Sequence, residues 1–376
     1  MQQWIESESD PDNTIGFLVT HPEWFHHFRP IIDLLDVHQV EVVLHGTQAE
    51  IVASRSFAEG LGWKHSLADE RIGNQRRLAM LVSGHPFRLM EDWLPRQLAD
   101  VNVRLMYALG KAQWNFSDWN EIYDVILCFG PYHAQRLARF SWPLVVQVGY
   151  PRYSRYFSAP PDRQELLRRL RCDAAKRTLL WLPTWKALSS IDRFAECIGA
   201  LAGEYNLVIK PHPLSITTEP ERIARLAALP GATVLTDLVD NGDLFCIADT
   251  VLCDYGGPAF GAVYLDRNLL LLDVAGADSD ELMGPDSAEL LLRQHIAAIA
   301  LPDAARLRAM LADEALWAEQ GAKRGWLRRR FFAPYRENAA ATAAGAIRKI
   351  QRLRSERRTL ARQASAVERF RQWLSG

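Results

Sequence analysis

The sequence has few cysteines, and none of them are paired at the spacing of a metal site. The five cysteines are odd in number and scattered: Cys128, Cys172, Cys197, Cys246 and Cys253. This distribution excludes a small, disulfide-stabilised secreted protein. Three of the cysteines lie in apolar stretches, so we expect buried free thiols in a reducing compartment.

Long apolar runs and a large excess of one charge are also absent. No apolar run approaches the ~20 residues that a membrane-spanning helix needs. The first ten residues are acidic and polar, unlike a secretory signal. The 376 residues carry a net charge of −1 and are 48% hydrophobic, as in soluble globular proteins. We expect a cytoplasmic protein of two domains, with no nucleic-acid partner.

The small net charge conceals a basic C-terminal end. Residues 323–376 contain 15 Lys or Arg and 3 Asp or Glu. A basic tail on an acidic body suggests an anionic partner, either the inner face of the cell membrane or an acidic polymer. The alternative is a solvated helix whose arginines bind carbonyl groups and pair with the acidic body. Both interpretations remain open from the sequence.

Short apolar runs alternate with helical stretches, which predicts parallel α/β domains. The strands predicted in the first half are 14–20, 40–44, 78–82, 101–107, 123–129 and 144–148. Those in the second half are 178–182, 205–209, 232–235, 250–253 and 269–272. Helices are predicted at 29–35, 243–248, 260–265, 287–298 and 302–320, with one more opening at 130–131 and another from 337 onward.

A charged, proline-containing segment, 153–176, has the composition of a linker between domains. It divides the chain into five predicted parts. These are a disordered or loosely attached N-terminus (1–13), an N-terminal Rossmann-like domain (14–152), the linker (153–176), a C-terminal Rossmann-like domain (177–335) and a basic helical tail (336–376).

Polar residues collect where the predicted strands end, and open parallel sheets bind ligands at that edge. In the N-terminal domain they are His21, His26, His27, His45, His85, Lys111 and Arg152. In the C-terminal domain they are Thr184, Trp185, Lys186, Lys210, His212 and Asp254. Two ammonium groups and an imidazole around one point would suit a diphosphate. Zinc is the rival ligand for the histidines, but no carboxylate or thiol completes a set at ligand spacing, so we expect no metal.

The stretch 249–273 is predicted to form a strand, a glycine pair, a helix and a second strand. Tyr255, Gly256 and Gly257 form the turn, and Pro258 suits the first position of the helix. Because the glycines have no side chains, a phosphate could approach the backbone at the helix start. The alternative is a tight turn that needs two glycines for its dihedral angles.

Three segments of the C-terminal domain together resemble a known family. They are 180–186 (LWLPTWK), 210–213 (KPHP) and 248–257 (ADTVLCDYGG), and the turn 149–152 (GYPR) is also similar. In order and approximate spacing they resemble the CDP-glycerol glycerophosphotransferases, the wall teichoic acid and capsule polymerases. The resemblance implies a GT-B fold, in which an N-terminal acceptor domain and a C-terminal nucleotide-donor domain face a cleft.

The resemblance also implies roles for individual residues, without a cofactor. His212 would bind or neutralise the donor diphosphate. The expected donor-binding residues are Thr184, Trp185, Lys186, Lys210, Asp243, Asp254, Tyr255, Gly256, Gly257 and Pro258. His26, Lys111 and Arg152 would lie on the acceptor side. The implied partners are a CDP-linked donor and a glycan or lipid-linked acceptor.

The sequence departs from the family pattern in two places. Gly256 and Gly257 stand where the family usually has two serines that contact phosphate. The family's Trp-His-Gly-type segment, with its histidine base, is matched by 106–111, which reads MYALGK. Either another group deprotonates the acceptor hydroxyl or the acceptor chemistry differs. The candidate bases are His21, His26, His45 and His85.

Three functions follow from these observations. The first is transfer of glycerol phosphate, or a similar polyol phosphate, from a CDP-linked donor to a cell-envelope glycan. The second is a glycosyltransferase or a UDP-sugar 2-epimerase-like enzyme of the same fold. The third is a non-catalytic nucleotide-binding scaffold, suggested by the missing serines and histidine.

Overall fold

The computed structural model describes residues 12–85, 88–89 and 92–356. Two parallel sheets account for almost all of the strands in these ranges. The first sheet contains seven strands, in the spatial order β3-β2-β1-β4-β7-β8-β9. In chain order they are β1 (Asp12–Val19), β2 (Val40–Leu44), β3 (His65–Leu67), β4 (Leu78–Ser83), β7 (Ala99–Leu105), β8 (Val125–Cys128) and β9 (Leu144–Gln147). The intervening β5 (Arg88–Leu89) and β6 (Asp92–Trp93) form a small antiparallel hairpin.

The second sheet contains six parallel strands, in the order β12-β11-β10-β13-β14-β15. They are β10 (Thr178–Leu182), β11 (Asn206–Ile209), β12 (Ala232–Val234), β13 (Thr250–Cys253), β14 (Asn268–Leu272) and β15 (Ala298–Ile299). Trp181 of the central strand pairs in register with Ile209 on one side and Leu252 on the other. Because these strands are apolar and buried on both faces, they need helices on each side of the sheet.

Helices cover both sheets. They are α1 (Trp24–Ile32), α2 (Gln48–Gly60), α3 (Ala68–Gly73), α4 (Leu94–Leu98), α5 (Ala112–Asn115), α6 (Pro131–Leu137), α7 (Ser154–Ser158), α8 (Arg163–Arg169), α9 (Ile191–Gly199), α10 (Pro213–Thr218), α11 (Pro220–Ala227), α12 (Asn241–Ile247), α13 (Pro258–Tyr264), α14 (Ala288–Arg293), α15 (Ala304–Ala312), α16 (Glu314–Phe331) and α17 (339–356). None of the helices described is both long enough and apolar enough to cross a membrane.

The predicted pair of parallel α/β sheets is confirmed, with differences in detail. The sequence analysis missed β3, α2 and β15, and it extended a helix through Ala298, which lies in β15. The predicted helix over 302–320 is two helices, because Asp313 ends one and caps the next by accepting from the Leu316 amide at 3.0 Å. The predicted linker contains α7 and α8.

The end of the chain packs against the N-terminal domain. Ala343, Ala344 and Ile347 of α17 are fully buried in the core formed with β1, β2 and α1. Arg354 on the same helix forms an ion pair of 2.7 Å with Asp100. The first part of the predicted basic tail is therefore structural. Residues 357–376, and all but the last two residues of the predicted N-terminal segment, lie outside the described residues.

Candidate functional site

A cavity of about 710 Å³ lies between the two domains, at the carboxyl ends of their strands. Each sheet reverses its strand order at this edge, between β1 and β4 in the first sheet and between β10 and β13 in the second. Ligands bind α/β sheets at such reversals. Most of the predicted residues line the cavity: His21, His45, His85, Lys111, Arg152, Thr184, Trp185, Lys210, His212, Tyr255, Gly256, Gly257 and Pro258.

Four predicted residues do not line the cavity: His26, Lys186, Asp243 and Asp254. Lys186 is exposed, with its ammonium group 4.2 Å from the centre of the Trp185 ring. His26 contacts Asp240, whose carboxylate oxygen lies 3.3 Å from the His26 Nδ1. Asp243 is half-buried on α12, and its burial and the nearby Asp240 raise its pKa.

Asp254 lies behind the residues that line the cavity, where its hydrogen bonds connect two loops. Its carboxylate is fully buried and accepts hydrogen bonds from the Thr184 amide at 2.9 and 3.0 Å. It also accepts from the amide and hydroxyl of Ser190, both at 2.8 Å. Burial raises the pKa of Asp254, and these donors oppose that rise. The residue thus fixes the loop after β10 relative to β13, and it does not reach the cavity.

His212 is held as a neutral hydrogen-bond donor. Its Nδ1 accepts a bond of 3.1 Å from the Leu214 amide, so the neutral ring carries its proton on Nε2. Burial and the neighbouring Lys210 lower the pKa of His212 to about 4. The ring also stacks on Trp185, with centroids 5.7 Å apart. The residue is therefore uncharged near neutral pH, whereas the sequence analysis allowed for a cation.

Charged residues from both domains form an ion-pair network across the cleft. Lys210 Nζ lies 3.0 Å from Glu23, which precedes α1. Arg152 lies 3.6 Å from Glu23 and 3.1 Å from Asp240. Burial of Glu23 would raise its pKa, but Lys210 and Arg152 outweigh burial and lower it to about 2. Sequence reasoning missed Glu23 and Asp240, although Glu23 lies within the histidine-rich loop after the first strand.

The glycine turn does not need glycine for its backbone angles. Gly256 and Gly257 are absent from the described glycines with positive φ, and Gly257 has φ −56° and ψ −31°. A side chain at Gly257 would meet no atom within 4 Å, whereas one at Gly256 would lie 3.3 Å from Pro258. A turn that needs two glycines for its dihedral angles is therefore not the explanation. Gly257 instead leaves open space on the cavity wall.

Glu289 of α14 is a carboxylate on the cavity wall that the sequence analysis did not single out. It is 1% exposed, and its Oε1 accepts a bond of 2.8 Å from the Lys111 amide in the N-terminal domain. Its Oε2 is buried and has no hydrogen-bond partner among the described residues. Burial raises its pKa, and the Lys111 amide opposes that rise. A glutamate within an ordinary amphipathic helix has no sequence signal for this position.

Several histidines of the N-terminal domain have ring nitrogens already in use. The Nδ1 of His21 accepts a bond of 3.2 Å from the Glu23 amide. The Nε2 of His27 accepts from Arg152 at 3.0 Å, and burial lowers the pKa of His27 well below its usual range. His85 packs edge-on against Trp24 and Tyr107. His45 lies 3.9 Å from the Asp69 carboxylate.

Within the described part of the chain, possible metal ligands do not cluster in this cleft. Among the residues that the structure describes, no group of three or more His, Cys, Asp or Glu side chains is arranged to hold a metal ion. The polar wall instead offers an ammonium group, a guanidinium group, an imidazole N–H and backbone amides. Such donors suit a phosphorylated ligand.

Two Rossmann-like domains with a ligand-sized cleft between them define a GT-B fold, and solved structures agree. The wall teichoic acid polymerase TagF superposes with a TM-score of 0.64 at 12% identity, over 92% of this chain and 90% of that chain. A variant of the same polymerase soaked with CDPG gives the same score and identity, over 93% and 92%. UDP-GlcNAc 2-epimerase from Neisseria meningitidis, bound to UDP-GlcNAc, gives 0.56 at 10% identity, over 89% and 100%.

The sequence supports a more specific assignment. Residues 133–272 match the model of the family CDP-Glycerol:Poly(glycerophosphate) glycerophosphotransferase. The predicted resemblance to this family is therefore confirmed over these residues. No curated protein matches the sequence. The matched range includes Arg152, Lys210, His212 and the glycine turn, whereas Lys111 and Glu289 lie outside it.

Proposed function

We propose that this protein transfers glycerol phosphate, or a similar polyol phosphate, from a CDP-linked donor to a hydroxyl group of a cell-envelope glycan. The observation that carries the proposal is the C-terminal wall of the cavity. The match to the family and the geometry coincide there, since Lys210, His212 and the glycine turn lie both within 133–272 and on that wall.

The donor diphosphate lies against this wall. The amides of Gly256 and Gly257 make no hydrogen bond within the described part of the chain, and phosphate can approach the open side of Gly257. The imidazole N–H of His212 donates to a phosphate oxygen. Lys210 supplies positive charge, although Glu23 shares it in the absence of donor. Trp185 holds the His212 ring by stacking.

The reaction is a phosphoryl-type transfer. The acceptor hydroxyl attacks the β-phosphorus of the donor, and CMP leaves with the bridging oxygen. Charge develops on the diphosphate as that bond breaks, so donors fixed at those oxygens stabilise the transition state more than the ground state. The N-terminal wall, with Lys111 and the histidines, faces the acceptor.

The acceptor is a glycan or a lipid-linked glycan at the inner face of the membrane. The protein reaches this surface as a peripheral protein, through the basic end of the chain. Residues 357–376 contribute five arginines and one glutamate. Each basic residue near an anionic surface contributes ~1 kcal/mol to binding, so a few are sufficient for a salt-sensitive association.

The test compares nucleotide-linked donors by thermal stabilisation and by release of CMP. CDP-glycerol should raise the melting temperature more than UDP-N-acetylglucosamine, and it should release CMP when an envelope glycan is present. Stabilisation by the UDP-sugar alone would favour the epimerase-like alternative. Tight binding of CDP-glycerol without turnover of any donor would favour the scaffold.

A further inference from the structure

Deprotonation of the acceptor hydroxyl needs a group with a free acceptor atom on the cavity wall. The loop 106–111 on the N-terminal side has no imidazole or carboxylate of its own. It is, however, in direct contact with one. The Lys111 amide donates to Glu289 Oε1 at 2.8 Å, and a side chain on Gly110 would lie 2.3 Å from the same oxygen. Glu289 thus places a carboxylate of the donor domain against the acceptor domain.

Most other acidic and basic side chains on the cavity wall already form ion pairs or hydrogen bonds within the protein. Glu23 is paired with Lys210 and Arg152 and has a pKa of about 2, which makes it a weak base. Glu50 is less buried than Glu289, and its Oε2 accepts from both the amide and the hydroxyl of Thr47. His21 and His212 accept backbone amides at Nδ1, so each presents an N–H rather than a free lone pair.

Glu289 differs from this set. It combines a carboxylate buried to 1% exposure, a fixed Oε1 and an Oε2 without a partner among the described residues. Lys111, Arg293 and Tyr132 are the charged or titratable groups that act on it electrostatically. Lys111 shares its charge with Asp280, 3.5 Å away. A carboxylate with little solvation and one free oxygen is a stronger proton acceptor than an exposed one.

We propose that Glu289 is the base of the transfer reaction, which accepts the proton of the attacking hydroxyl group at Oε2. This inference rests on the proposed function. In the step, the O–H bond of the acceptor breaks and its proton moves to Oε2. The hydroxyl oxygen forms a bond to the β-phosphorus, and the bond from that phosphorus to the bridging oxygen breaks. CMP leaves with the electron pair, and the proton on Glu289 then passes to solvent.

The experiment compares Glu289→Gln with wild type in CDP-glycerol binding and in CMP release. Glutamine keeps an oxygen for the Lys111 amide but cannot accept a proton at neutral pH. We expect kcat/KM to fall by roughly 10²–10⁴-fold, the usual contribution of a general base, with a change in donor Kd below about threefold. Glu281→Gln, an exposed residue on the loop before the same helix, is the matched control and should behave as wild type.

The pH profile separates a base from a merely structural residue. In the wild type, kcat/KM should rise with pH as Glu289 loses its proton, and this acidic limb should disappear in Glu289→Gln. Glu289→Asp, which keeps a carboxylate, should recover part of the rate and the limb. If Glu289→Gln fails to fold, the pH profiles of His45→Gln and His85→Gln test the proposal instead. The acidic limb of kcat/KM should persist in both variants if Glu289 is the base.

Other outcomes would overturn the proposal. Loss of the limb in His45→Gln or His85→Gln would identify that histidine as the base. A folded Glu289→Gln with normal kcat, or with a defect confined to donor Kd, would make Glu289 a binding or structural residue. These results differ from failure of the proposed function, in which the wild type itself would neither bind CDP-glycerol nor release CMP from it.

Discussion

His212 shows how a single residue can be held for a role before any ligand is present. Pro211 and Pro213 flank it, Trp185 stacks on its ring, and its Nδ1 caps α10. These contacts fix the ring and its tautomer, so in the proposed mechanism the Nε2–H would need no rearrangement to meet a developing charge. With a pKa of about 4, the imidazole stays neutral over the physiological range.

The first prediction follows from this geometry. His212→Ala should lower turnover by roughly 10²–10³-fold, as for loss of one transition-state donor, with a much smaller loss of donor affinity. His212→Gln retains a hydrogen-bond donor and should keep more activity. Single-turnover CMP release and equilibrium binding of CDP-glycerol measure the two effects.

A matched variant separates catalysis from helix capping. His212→Asn keeps an acceptor for the Leu214 amide, whose loss would cost ~1 kcal/mol. Its side chain is shorter than that of glutamine, so its amide has no N–H at the position of the imidazole Nε2. It should therefore fold as well as wild type and be as slow as His212→Ala. Equal losses in affinity and turnover would instead mean that His212 binds only the ground state.

At the scale of elements, the turn between β13 and α13 is the part of the wall that is open to the cavity. Its glycines adopt angles that other residues accept, so space rather than conformation explains them. Gly257 has no atom within 4 Å of the position of a Cβ atom. Asp254, directly before the turn, ties it to the loop that carries Thr184.

The second prediction concerns this open side. Gly257→Val should fold with little change in stability, because the side chain enters empty space, and it should weaken binding of CDP-glycerol by blocking close approach of phosphate. Gly203→Val is a control on a surface turn, where a Cβ also meets nothing within 4 Å. Unchanged nucleotide affinity in a folded Gly257→Val protein would make the turn purely structural.

At the scale of the whole molecule, the two domains are joined by charges as well as by apolar packing. The network of Glu23, Lys210, Arg152 and Asp240 crosses the cleft beside the cavity. It neutralises the cations that would otherwise repel each other there. In the proposed mechanism an incoming diphosphate would meet a lysine that is already paired, which would couple donor binding to the contact between the domains through Glu23.

The third prediction is a pH dependence of stability. The pKa of Glu23 falls from 4.5 to about 2 on folding. A depressed carboxyl pKa contributes stability that is present above pH ~4.5 and is lost as the pH falls towards 2, with an upper limit of ~3 kcal/mol. Glu23→Gln should therefore melt at a lower temperature than wild type at pH 7, and this difference should shrink between pH 4.5 and 2.

The control for the acid series is Glu221→Gln, which replaces an exposed glutamate at the start of α11. It should follow wild type at every pH. A constant difference between Glu23→Gln and wild type across the whole range would show that the ion pairs do not determine the effect of Glu23 on stability.

The fourth prediction concerns the basic end of the chain. A protein that ends near Glu337 would lose Ala343, Ala344 and Ile347 from the N-terminal core, so it cannot test membrane binding cleanly. A chain that ends at Glu356 keeps α17. It should still bind CDP-glycerol but lose salt-sensitive binding to phosphatidylglycerol vesicles. If full-length protein ignores such vesicles at low salt, the tail is not a membrane anchor.

Periodicity and local chemistry in the sequence were sufficient for the two parallel sheets and for most of the cavity wall. Apolar runs that end in polar residues predict buried strands whose carboxyl ends share an edge, which is how Thr184, Lys210 and the glycine turn were found. The short strands β3 and β15 were missed, because three and two residues hold too little pattern.

Other features of the site were decided only by the tertiary structure, because they depend on contacts between distant parts of the chain. Asp254 does not line the cavity because buried amides of the loop after β10 donate to its oxygens. His212 is neutral because burial and Lys210 penalise its charge. Residues 111 and 289 are far apart in sequence, and neither the pairing of Lys111 with Glu289 nor the return of α17 to the first domain has a local signal. The hydrogen-bond partners, burial and charge state of a side chain are properties of the folded chain. The apolar pattern of a strand and the residues of a turn can instead be read from a short stretch of sequence.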